Sequence, residues 1–79
     1  MEIFNEISEM LQKGKAPKVK ELVNQAIENG ADAKDILEQG LLAGMSIVGE
    51  KFKNNQVFVP EVLIAARAMN AGVEILKPY

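Results

Sequence analysis

Residues 32–54 read DAKDILEQGLLAGMSIVGEKFKN, and this stretch decides the fold. Apolar residues recur in it at steps of three and four, which predicts one helix about 33 Å long at a rise of about 1.5 Å per residue. Asp32 is expected to cap the free N–H groups at its start, and Asp35 to favour the positive end of its dipole. The main apolar stripe of this helix consists of Leu37, Leu41, Met45, Val48 and Phe52.

A second line along the same helix consists of small residues, namely Gly40, Ala43, Gly44, Ser46 and Gly49. Each glycine lowers the stability of a helix by about 1 kcal/mol relative to alanine. Such a line is expected where the close approach of a neighbour offsets that cost. We therefore predict that something packs tightly against it.

Three more amphipathic helices are predicted, over residues 2–13, 16–29 and 61–77, with breaks near residues 14–16, 30–32 and 55–59. Residues 56–59 should form an extended connector, because the residue before Pro60 is disfavoured in the α region. Four helices with short connections predict an all-α fold, a single four-helix bundle over residues 1–79. The apolar stripe of the last helix is predicted to consist of Val62, Ala66, Met69, Val73 and Leu76.

Composition excludes several classes of function. The chain has no cysteine and no histidine, which excludes disulfides, thiolate chemistry, imidazole catalysis and histidine-bound metals. A net charge of −2 with scattered Lys and Arg argues against nucleic acid as a partner. The sequence has neither a signal-peptide pattern nor an apolar run of the roughly 20 residues that a membrane span needs. We expect a soluble cytoplasmic protein with no catalytic residue and no metal ligand of its own.

One segment departs from the bundle pattern: Phe52, then the apolar run 57–59, then Val62 just after Pro60. The connector could pack these side chains inward and staple the two helices together. Alternatively, they could form a binding surface, because three consecutive apolar residues in a loop cannot all point the same way. The pattern alone leaves both interpretations open.

The same residues carry a resemblance to a known family. Residues 40–52, GLLAGMSIVGEKF, followed by VFVPEVL at 57–63 and AARAM at 65–69, resemble the cap module of methyltransferase-associated corrinoid proteins. Cobalamin-dependent methionine synthase carries the same module. The matching pattern covers about half of the chain. Asn54 and Asn55 stand where many relatives have glycine, a conservative departure because asparagine accepts left-handed geometry.

The resemblance implies that the bundle covers the upper face of cobalamin, with Phe52, Val59 and Val62 around the methyl group on cobalt. A dry apolar cover would protect the photolabile methyl–cobalt bond, and it must lift to expose the methyl group, which makes the cap a gate. The implied partners are the C-terminal cobalamin-binding domain of the same parent protein, a substrate-specific methyltransferase and an acceptor methyltransferase. In the family, that α/β domain supplies the histidine that replaces the lower cobalt ligand.

The chain ends before any such domain, so we expect an excised or truncated piece that binds cobalamin weakly by itself. We also expect weak self-association, because a patch made to face a corrin ring would be left in contact with water. Two other classes stay open. A free-standing helical docking module would bury the same apolar surface in a partner protein. An enzyme acting through carboxylates would have only Glu50 and Glu61 near the junction, and glutamates on a helix surface are usually solvated.

Overall fold

Four helices make up the computed structural model, which describes residues 2–79. α1 spans Glu2–Gln12 and α2 spans Ala16–Glu28. α3 is one continuous helix with three stretches, Ala33–Asp35, Ile36–Leu42 and Ala43–Lys53, and α4 spans Val59–Leu76. No strand occurs within these residues. The predicted all-α four-helix bundle is therefore confirmed.

The turns between the helices contain the residues with left-handed backbone. Gly14 (φ 72°), Gly30 (φ 88°) and Asn55 (φ 62°) each lie just past a helix end. Glycine and asparagine are the residues that occupy this region at little cost. At Gly14 a side chain is also excluded by space, because an added Cβ would collide with the side chain of Ile64. The three breaks therefore occur where the sequence predicts them.

The middle stretch of α3, Ile36–Leu42, winds as a π-helix. A π turn joins residues five apart, so Ile36 and Leu41 come to the same inward face, and both are completely buried. The predicted stripe used a period of 3.6 residues and began at Leu37, which is only half-buried. That part of the prediction is wrong, because the wider turn changes which residue faces the core.

Two glycines of the line of small residues on α3 lie against α1. A Cβ added at Gly40 would lie 3.1 Å from Cγ2 of Ile7, and one added at Gly44 would lie 3.1 Å from Cα and from the carbonyl oxygen of Ser8. The predicted tight packing is confirmed at these two glycines. It is wrong at Gly49, where an added Cβ would meet nothing within 4 Å. The close approach of α1 and α3 is thus confined to the middle of α3.

α4 packs mainly against α2 and also contacts α3. Its inward line differs from the predicted stripe: Leu76 is buried as predicted, but the rest of the stripe is half-buried, and the other buried residues are small. At Gly72 an added Cβ would lie 2.8 Å from Cδ2 of Leu41 and 3.2 Å from Cγ1 of Val19. Periodicity of large apolar residues misses such a line because alanine and glycine carry little hydrophobic signal. The buried residues of α4 are Ala65, Ala68, Gly72 and Leu76.

Two helix starts differ from expectation. Asp32 precedes α3 with extended backbone, but its side chain makes no capping hydrogen bond. α4 begins at Val59, so the extended residue is Phe58 (φ −110°, ψ 168°) instead of the residue before Pro60. Proline is tolerated in the first turn because no N–H is needed there. Across residues 2–79, no helix combines the length and the apolar character that crossing a bilayer requires.

Candidate apolar binding surface

The segment that departs from the bundle pattern lies where α3 ends and α4 begins, and we call it the junction lip: Phe52, Val57, Phe58, Val59 and Val62. Three of its side chains are exposed, Phe52 by 45%, Phe58 by 70% and Val59 by 54%. Val57 is half-buried, and Val62 is half-buried and packs against the core. The exposed side chains favour a binding surface over inward packing of the whole connector.

The end of α3 is fixed by backbone hydrogen bonds around Asn55. The N–H of Asn55 donates to the carbonyl of Phe52 at 3.1 Å, and the N–H of Gln56 donates to the carbonyl of Lys51 at 2.8 Å. This pair, with positive φ at Asn55, is the Schellman arrangement that commonly ends helices. It ends α3 at Lys53, one residue after Phe52. Phe52 therefore lies in the last turn of α3, next to the connector that leads to α4.

The start of α4 is fixed by a side chain. The N–H of Phe58 donates to Oε1 of Glu61 at 3.0 Å, which is one of the two hydrogen bonds that make up a capping box. The other bond is missing because phenylalanine has no side-chain acceptor. Val59 and Val62 lie in the first turn, and residues three apart share a helix face. A connector of five residues, 54–58, therefore separates Phe52 from a helix turn that carries both valines.

The junction lip contains no titratable side chain. Beside it are the neutral amides of Asn54, Asn55 and Gln56, all exposed. Of the two carboxylates considered near the junction, Glu50 is exposed and Glu61 accepts the Phe58 N–H. Within residues 2–79, no three carboxylates are placed to hold a metal ion. The arrangement can bind an apolar face and exclude water from it.

Sequence reasoning missed one residue that extends this surface. Leu63 is 60% exposed and follows Val59 by four residues, so the two side chains lie on one outward face of α4. The spacing of four was visible in the sequence, but the predicted stripe passed through Val62 and did not include Leu63. The exposed apolar surface is therefore larger than the trio Phe52, Val59 and Val62.

Comparison with known proteins links this bundle to a domain family. Residues 3–77 match the family described as the B12 binding domain. The trimethylamine corrinoid protein 1 of Methanosarcina mazei is 47% identical over 58 residues, which are 73% of this chain and 27% of that relative. The monomethylamine corrinoid protein 1 of Methanosarcina barkeri is 34% identical over 77 residues, 98% of this chain and 36% of that relative.

A solved structure has the same fold. The structure of the Methanosarcina barkeri monomethylamine corrinoid protein superposes with a TM-score of 0.94 and 34% identity. The match covers 98% of this chain and 36% of that one. This chain therefore spans little more than a third of the longer proteins that it matches.

Proposed function

This chain belongs to the B12 binding domain family, and we propose that it is the helical cap that covers the methyl-bearing upper face of cobalamin. One observation carries the proposal. The trio Phe52, Val59 and Val62, which matches the family motif, lies on both sides of a short connector. Two of its members, Phe52 and Val59, are exposed apolar side chains, and they stand beside the exposed Phe58 of the connector and Leu63 of α4. Exposed apolar surface of this kind marks a binding site.

The residues present suit a corrin ring. The junction lip offers apolar side chains without a charge, and the amides of residues 54–56 beside it could pair with the neutral amide groups at the ring's edge. The sequence has no histidine, so a histidine ligand below the cobalt would have to come from another domain. When bound, cobalamin would supply a cobalt-held methyl group that can be transferred. By itself, this chain is expected to bind the cofactor weakly.

The trio would act by excluding water. Phe52, Val59 and Val62 present only carbon atoms, so they can cover a reactive methyl group without offering it a proton or a nucleophile. The same cover must move aside for transfer, which gives the cap a gating role. We assign no catalytic residue to this chain: the proposed role is a non-catalytic module of a corrinoid-dependent methyltransferase system.

The proposed partners follow from that role. The cap would close on the cobalamin-binding domain of the same parent protein and open towards a substrate-specific methyltransferase and an acceptor methyltransferase in the cytoplasm. The relatives are named for trimethylamine and monomethylamine, which makes a methylamine the donor class to test first.

Photolysis tests this proposal. The chain would replace the matching segment of the M. barkeri monomethylamine corrinoid protein, and the fusion would be loaded with methylcobalamin. Phe52→Ala should open a path for water and speed photolysis. The control, Leu41→Ala, removes a buried side chain and should lose about 2 to 5 kcal/mol of stability without a selective change in photolysis.

Equal photolysis rates in the two variants, compared at matched stability, would refute the cap assignment of Phe52. A docking module that buries the junction lip in a partner protein would then be the better interpretation of the exposed surface.

A further inference from the structure

We infer that Glu61 is a positioning residue for the junction lip. Its carboxylate holds the first turn of α4 in the geometry that presents Val59 and Val62. This inference rests on the proposed function, because it concerns how the chain shapes the surface that would cover the cofactor. It adds a residue whose own side chain does not belong to that surface.

The hydrogen bond from the Phe58 N–H to Oε1 of Glu61 defines where α4 begins. With that bond, Phe58 is the extended cap residue and Val59 is the first helical residue. Without it, the proline rule applies, and the residue before Pro60 is pushed out of the α region. Val59 would then leave the helix and would no longer share a face with Val62.

The connector also supports this turn through its backbone, since the carbonyl of Phe58 accepts the N–H groups of Glu61 at 2.9 Å and of Val62 at 3.2 Å. The hydrogen bonds of Asn55 and Gln56 run back to α3 and fix the end of that helix. Within residues 2–79, the bond to Glu61 is the side-chain hydrogen bond that the connector makes. The carboxylate of Glu61 is therefore the side chain that fixes the N–H of Phe58 at the start of α4, beside the backbone bonds of the first turn.

Two cationic residues that could form an ion pair with Glu61 lie near it. Lys13 and Lys51 line the same cleft as Glu61. The ion pairs of the described residues are Lys18 with Glu21 and Lys77 with Glu74, so Glu61 forms neither of them. Its carboxylate instead meets the backbone N–H of Phe58. This geometry is that of a cap and not that of a surface ion pair.

The first test uses the 79-residue chain and nuclear magnetic resonance. Glu61→Ala should speed hydrogen exchange of the Phe58 amide about fivefold, the factor expected for one lost hydrogen bond, and should shift the methyl signals of Val59 and Val62. Glu61→Gln keeps an acceptor oxygen and should restore wild-type exchange and shifts. Glu74→Ala is the control, because it removes another glutamate of α4 and its ion pair with Lys77.

Two results would overturn the inference at this stage. One is an unchanged Phe58 exchange rate in Glu61→Ala. The other is a Glu61→Gln variant that behaves like Glu61→Ala, which would assign the effect to charge near the helix end and not to the hydrogen bond.

The second test separates this inference from the proposed function. In the methylcobalamin-loaded fusion, Glu61→Ala should speed photolysis, whereas Glu61→Gln and Glu74→Ala should not. If Phe52→Ala speeds photolysis and Glu61→Ala does not, the cap stands and the positioning role is refuted. If neither variant changes photolysis, the proposed function itself fails.

Discussion

Two regions of this small bundle use apolar residues in opposite ways. Where α1 meets α3, Ile7 is completely buried, and Gly40 and Gly44 let the two helices approach closely. Where α3 meets α4, Phe52 is 45% exposed and Phe58 is 70% exposed. A chain of 79 residues buries only a small apolar area on folding, so its stability depends on placing apolar side chains in the core. Apolar side chains left outside the core are therefore best explained by something that covers them.

The largest effect is expected in the buried region. Ile7→Ala removes a completely buried side chain between α1 and α3 and should cost about 2 to 5 kcal/mol of unfolding free energy. Ile47→Ala makes the same chemical change at a side chain that is 42% exposed and should cost clearly less. Urea titration of both variants measures the difference. Equal losses would mean that the contrast between buried and exposed regions has no energetic basis.

A pair of glycines on α3 sharpens the comparison. Gly44→Ala places a Cβ against the backbone of Ser8 and should destabilise the chain by about 1 to 3 kcal/mol through overpacking, less the gain in helix propensity. Gly49→Ala meets open space and should stabilise the chain by up to about 1 kcal/mol. Thermal unfolding should shift the two midpoints in opposite directions. A shift of the same sign in both would contradict the packing described for α1 and α3.

The sequence was sufficient for the architecture. Helix number and turn positions follow from residue types whose backbone preferences are strong, such as Gly14, Gly30 and Asn55. The π turn did not follow, because seven ordinary residues, Ile36–Leu42, contain no local signal for a wider turn. It arises from packing that buries both Ile36 and Leu41. Tertiary packing therefore determines which of two helical periods this segment adopts, because its sequence alone is compatible with both.

Most residues of the site could be predicted from the sequence, but the start of α4 and the outward position of Leu63 could not. The apolar run identified the junction lip, and the family resemblance selected Phe52, Val59 and Val62 from it; their role stays a prediction. The start of α4 at Val59 was missed because the proline rule was applied without the competing cap from Glu61. Leu63 was missed because a stripe search looks for buried residues, and this side chain faces outward.

The smallest effect concerns association of the isolated chain. If the uncovered junction lip drives weak self-association, Phe58→Ser should weaken it with little change in stability, because the side chain is 70% exposed. Tyr79→Ser is the matched control, since it removes an aromatic side chain that is 72% exposed and lies outside the junction lip. Sedimentation equilibrium over a range of concentrations measures both. Equal effects of the two changes would mean that association is not specific to the junction lip.

Proximity of the junction lip to the cobalt tests the central claim most directly. Cobalamin with divalent cobalt has an unpaired electron, which broadens the resonances of nearby nuclei. Methylcobalamin has no unpaired electron and leaves these resonances sharp. In the fusion loaded with each form, we expect the methyl signals of Val59 and Val62 and the ring signals of Phe52 to broaden selectively with divalent cobalt, and those of the exposed Tyr79 to stay sharp. Signals of the trio that are as sharp as those of Tyr79 in both forms would contradict the cap assignment.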